Sequence, residues 1–118
     1  GPLANLKCLN LNNNRIESVA QDAFAGLASL QKLCLTSNQI GRVDVGAFAG
    51  LRRLEELLLN ANMLGSLEQA AFGDLPRLTT LNLQKNRFDV DTLRQLATTL
   101  FAHQASTRMY LDKVSILD

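Results

Sequence analysis

The sequence predicts an α/β solenoid: a curved right-handed coil with a parallel sheet of about five short strands on its concave face and a helical cap at its C-terminal end. Three observations predict it. Leucines recur on a 24-residue ruler, strand-like alternation falls at one fixed point of each unit, and the period becomes helical after residue 88. Leucine supplies 24 of the 118 residues, so their spacing rather than their number separates a repeat from an ordinary core.

Leu6, Leu30, Leu54 and Leu78 stand 24 residues apart and start the four units. The same frame follows each: Leu6-Leu9-Leu11-Asn14-Ile16, Leu30-Leu33-Leu35-Asn38-Ile40, Leu54-Leu57-Leu59-Asn62-Leu64 and Leu78-Leu81-Leu83-Asn86-Phe88. The second and third residues of each frame alternate with outward positions, the period of a strand. Such strands are too short to stand alone, but stacked in parallel they pair each other's backbone and bury one leucine face. The Asn lies where the chain leaves the strand. There its amide can pair stranded N–H and C=O groups, and like residues stack into a ladder. On the return side Val19, Val43 and Leu67 share a position, as do Phe24, Phe48 and Phe72, and Leu27, Leu51 and Leu75 close the unit.

After Phe88 the Ala-Phe return disappears. Leu93, Leu96, Ala97, Leu100 and Phe101 take helical spacing instead, with Asp91 or Thr92 as the expected cap, a capping box of Thr92 with Gln95, and an end near His103. A shift of 28 residues restores the frame, mapping Leu81 to Met109, Leu83 to Leu111 and Phe88 to Ile116, with Val114 in the Asn slot. A fifth strand is therefore expected over Met109–Leu111, and residues 89–118 read as a cap within a single domain spanning 1–118. At the other end Leu3 takes the position of Leu27, and no cap is evident. The chain reads as a fragment of a longer array, or else as a short chain whose leucine edge is covered by a partner or a second copy.

The LxxLxLxxN frame with the DAFAGLASL and GAFAGLRRL returns resembles the leucine-rich repeat family over about residues 3–118. The 24-residue unit is similar to the family's typical subclass, and the 28-residue last unit to its ribonuclease-inhibitor subclass. The resemblance implies a leucine-rich-repeat solenoid. It also implies one of many binding roles, as in receptor ectodomains, rather than catalysis.

Composition bears on the remaining function classes. Twelve basic against eleven acidic residues leave a net charge of +1, which argues against a nucleic-acid partner. No apolar run reaches a membrane span, and the first residues lack a signal peptide's pattern. One His (His103, a helix-end residue) and two Cys in separate units match no triad, zinc site or phosphate loop, so neither enzyme activity nor a cofactor is expected. Cys8 and Cys34 lie diagonally on adjacent strands. Their Cα separation would be about 8 Å, beyond disulfide reach, so two exposed free thiols are expected. Together with ten Asn and no Asn-x-Ser/Thr sequon, free thiols lean the location to the cytoplasm, an extracellular ectodomain being the alternative.

With the leucines consumed by the scaffold, the residues between them are the candidates for function. Those expected on the concave face and its rim are Asn10, Asn12 and Arg15 in the first unit, and Lys32, Cys34 and Thr36 in the second. The third unit adds Glu56, Leu58, Asn60 and Met63, and the fourth Asn82 and Gln84. This face is rich in amides and lacks Tyr and Trp. Its apolar spot is Leu58, with Ala61 and Met63. It suits a protein or peptide held by hydrogen bonds around a small apolar anchor. The alternatives are a structural or capping segment of a larger scaffold, and self-association through the uncapped N-terminal end.

Overall fold

The computed structural model describes residues 2–73, 75–103 and 108–110. In chain order its strands are β1 (Cys8–Asn10), β2 (Ser18–Val19), β3 (Lys32–Cys34), β4 (Arg42–Val43), β5 (Glu56–Leu58), β6 (Thr80–Asn82) and β7 (Arg108–Tyr110). The helices are α1 (Gln69–Phe72) and α2 (Val90–His103), and a 3-10 turn covers Pro2–Asn5. β1, β3, β5, β6 and β7 stack in that order into one parallel sheet.

The register follows the ruler. Leu9 pairs with Leu33, Leu33 with Leu57 and Leu57 with Leu81, each a 24-residue step, whereas Leu81 pairs with Met109 across a 28-residue step. The longer step accommodates α2. The fifth strand starts one residue earlier than expected, at Arg108, while Leu111, Val114 and Ile116 lie outside the described residues. β2 and β4 form a second, two-stranded parallel sheet, pairing Val19 with Val43. It arises because equal repeat lengths bring extended, β-branched return segments side by side.

Between these layers the leucines close the core. Leu30, Leu33, Leu35, Ile40, Leu51, Leu54, Leu57, Leu59 and Leu64 are fully buried. Their counterparts Leu6, Leu9, Leu11, Ile16 and Leu27 are only partly buried, since no earlier unit covers them among the described residues. Leu3 does hold the position of the unit-closing leucines. Its carbonyl accepts the Leu6 N–H at 3.1 Å, as Leu27 does for Leu30 and Leu51 for Leu54. On the return side Phe24, Phe48 and Phe72 stack with centroids 6.1 and 5.9 Å apart. Gly26 and Gly50, one repeat apart, turn the return segment at φ 88° and 89°, a left-handed conformation that glycine adopts without a Cβ clash.

Along the strand exits the asparagines pair the backbone of two units at once. Asn38 Oδ1 accepts the N–H groups of Asn14 and Ile16 at 3.1 and 3.2 Å, and its Nδ2 donates to the Leu11 and Leu35 carbonyls. Asn62 and Asn86 repeat the pattern one and two units on. Each therefore reaches back to the preceding unit. Asn14 has no described unit behind it, and its side-chain Nδ2 donates to Leu11 and Asn12 in its own turn.

α2 ends at His103 as expected but starts and caps differently. Asp89 is the cap, not Asp91 or Thr92: its Oδ1 accepts the Thr92 N–H at 2.8 Å, three residues before the start of the expected capping box. That bond holds the Asp89 carboxyl below its ordinary value, the Thr92 backbone N–H being the main cause and the Thr92 side chain the next. Leu93 and Leu96 bury their side chains as the helical spacing predicts, while Ala97, expected on the same face, is exposed.

Candidate functional site

Strand alternation sends every second side chain of the sheet away from the leucine core, and the 24-residue register lines these side chains up across strands. One row runs Cys8, Lys32, Glu56, Thr80; a second runs Asn10, Cys34, Leu58, Asn82, Tyr110. Beyond the strands lies a third row of Asn12, Thr36, Asn60 and Gln84, whose first three members are tied together by side-chain hydrogen bonds. Thr36 N–H donates to Asn12 Oδ1 at 2.7 Å, and the Thr36 hydroxyl bonds Asn60 Oδ1 at 3.0 Å. The next residues, Asn13, Ser37, Ala61 and Lys85, all carry φ between 57° and 60°. At each unit the backbone thus makes the same left-handed turn into the ladder Asn.

Past the ladder the backbones of Gln39, Met63 and Arg87 each donate to the preceding unit, at Ile16, Ile40 and Leu64. Arg15, Met63 and Arg87 are exposed there. This places Arg15 and Met63 on a rim row separate from the strand rows that hold Lys32, Leu58 and Asn82. Lys32 Nζ and Glu56 Oε2 sit 3.5 Å apart across β3 and β5, with both side chains nearly half exposed. Gln31 and Glu55 join them to line an open cleft of about 270 Å³. So exposed a pair contributes roughly 0–1 kcal/mol, so it sets charge placement more than stability.

Two expectations about this face change. Cys34 does not stand out from the sheet as an exposed thiol; it is 4% exposed, between β1 and the half-buried Leu58 on β5. Burial is the main influence that pushes its thiol above the ordinary range, with Lys32 opposing. Cys8 is exposed, and both cysteines are free. The thiol argument for a reducing compartment therefore rests on Cys8 alone. The second change is that the face does carry a tyrosine. β7 pairs Tyr110 with Asn82, which puts Tyr110 in the same outward row as Leu58, 41% exposed. The signal was present in the 28-residue shift: a frame that maps Leu81 to Met109 also maps Asn82 to Tyr110.

Comparison with known proteins agrees with this geometry. The model of the family described as Leucine rich repeat matches residues 1–40 and again 28–88. The chain belongs to the leucine-rich repeat family. Among solved structures this leucine-rich repeat chain is similar to the crystal structure of a TLR13–ssRNA13 complex. Identity is 26% over 91% of this chain, with a TM-score of 0.64. The chain spans 18% of that protein's length. No curated protein matches it significantly.

That similarity overturns the exclusion of nucleic acid drawn from net charge, since the related structure is an RNA complex. The physical flaw lies in the averaging. Over its three outward rows, the left-handed positions and the rim, the first four repeats place Arg15, Lys32, Lys85 and Arg87 against a single acid, Glu56, although the whole chain is almost neutral. Among the described residues no helix is long and apolar enough to cross a membrane.

Proposed function

We propose that this leucine-rich repeat chain is a non-enzymatic recognition module that binds a protein or peptide through its concave sheet and rim. Membership of a family of binding scaffolds supports the reading. The observation that carries it is the second outward row, where Leu58 and Tyr110 present apolar surface while nearly every other described leucine serves the core. In this reading Leu58 and Tyr110 anchor the partner. Asn10, Asn12, Thr36, Asn60, Asn82 and Gln84 surround them with hydrogen-bonding groups, and Lys32 and Glu56 set charge at one edge. Arg15 and Met63 border the other edge.

Leu58→Arg, Tyr110→Ala and Asn60→Ala, compared with wild type in affinity capture from cells expressing the tagged chain, test this reading. Loss of the same captured protein in the first two variants is the expected result. Capture unchanged in all three would instead make these repeats a structural segment of a larger scaffold. A second reading, single-stranded RNA as the ligand, is favoured by the similarity to the TLR13–ssRNA13 complex. Anisotropy of a labelled oligouridylate titrated with the chain tests it, and binding abolished by Tyr110→Ala would support it.

A further inference from the structure

Three amides on the concave face have their orientation dictated by the backbone. Asn12 N–H donates to Asn10 Oδ1 at 2.9 Å, Thr36 N–H to Asn12 Oδ1 at 2.7 Å, and Gln84 N–H to Asn82 Oδ1 at 3.0 Å. A backbone N–H can only donate, so in each case the oxygen must face the scaffold and the NH2 must be the outer half of the amide. The NH2 groups of Asn10, Asn12 and Asn82 have no bond to another described residue. The polar surface of this face is therefore biased to donors, although an asparagine is nominally both donor and acceptor. Charge points the same way, with Arg15 and Arg87 exposed at the rim and Lys32 balanced by Glu56.

We propose that the concave face is selective for an extended, acidic peptide segment crossing the repeats. Its carboxylates and main-chain carbonyls accept from the Asn10, Asn12 and Asn82 amides, within the field of the rim arginines. A donor-rich basic segment is disfavoured, because its N–H groups meet other N–H groups and positive charge. Leu58 and Met63 offer aliphatic surface to the side chains of such a peptide. The proposal rests on the concave recognition reading and adds the chemistry of the partner.

The test uses isosteric reversal. In Asn10→Asp, Asn12→Asp and Asn82→Asp one carboxylate oxygen still accepts the same backbone N–H, so the fold contact is kept while the outer NH2 becomes an acceptor. Three short fluorescein-labelled peptides of alternating Ser with Glu, Gln or Lys, and a labelled oligouridylate, are titrated with wild type and with the triple variant. Wild type is expected to bind the Glu peptide at least about tenfold more tightly than the Gln peptide, and the Lys peptide least. The triple variant should lose that preference, with its melting temperature showing that the fold is intact. Equal binding of all three peptides by wild type overturns the selectivity but leaves concave recognition standing. Absence of any peptide binding overturns both. Oligouridylate binding tighter than the Glu peptide, and lost in the variant, would transfer the donor row to a nucleic-acid ligand and overturn the peptide proposal.

Discussion

Asn62 holds Leu35, 27 residues earlier in the chain, by donating from Nδ2 to its carbonyl at 2.9 Å, while a second bond ties the same nitrogen to Leu59. Its oxygen takes the Ile40 N–H at 3.1 Å. One 7%-exposed side chain thus pairs backbone groups in two successive units that would otherwise be buried without partners. Asn62→Ala should destabilise the chain by about 2–3 kcal/mol in chemical denaturation. Asn14→Ala should cost roughly 1 kcal/mol or less, because Asn14 is exposed and its Nδ2 donates within its own turn, to Leu11 and Asn12. Equal losses at the two positions would mean that the inter-unit bonds contribute nothing.

The phenylalanine stack gives a prediction with a different cause. Phe48 is fully buried with a ring on either side, so Phe48→Ala leaves a cavity that neighbouring repeats cannot close. The expected cost is about 3–5 kcal/mol. Phe24, stacked on one described ring and 9% exposed, should cost less when truncated. Thermal melts of the two variants rank them, and the reverse order would misplace the centre of the core.

Thiol reactivity should separate the two cysteines. In native buffer an aromatic disulfide reagent should titrate Cys8 in a fast phase and leave Cys34 unreacted until denaturant is added. Cys34 is buried, and the same burial keeps its thiol protonated at pH values where an ordinary cysteine begins to ionise. Two fast thiols would show that the concave face opens freely around Cys34.

Acid should weaken the start of α2. The folded-state value of Asp89 lies below that of the unfolded chain, so its contribution is complete above the unfolded value, near 3.9. It is lost as pH falls through the folded value. Asp89→Asn should keep the bond to Thr92 and remove this part of the acid sensitivity. Asp89→Ala should lower the melting temperature at neutral pH. Circular dichroism melts between neutral and acidic pH check both, and an Asp89→Asn profile that matches wild type would remove Asp89 from the account.

The sequence by itself determined the repeat length, the register of the sheet, the leucine core and the ladder of asparagines. All four depend on periodic identity, and a 24-residue period leaves one way to stack the units. It also carried the fifth strand, since only the 28-residue shift aligns Leu81 with Met109, and with it the place of Tyr110. The tertiary structure alone decided which outward residues are covered and which way their amides turn. Cys34 is buried by neighbours a whole repeat away, and the Asn12 oxygen is turned inward by the N–H of Thr36, 24 residues on. Side-chain polarity is a property of the residue, but the half of an amide that meets a ligand is set by whichever backbone group packing brings to the other half.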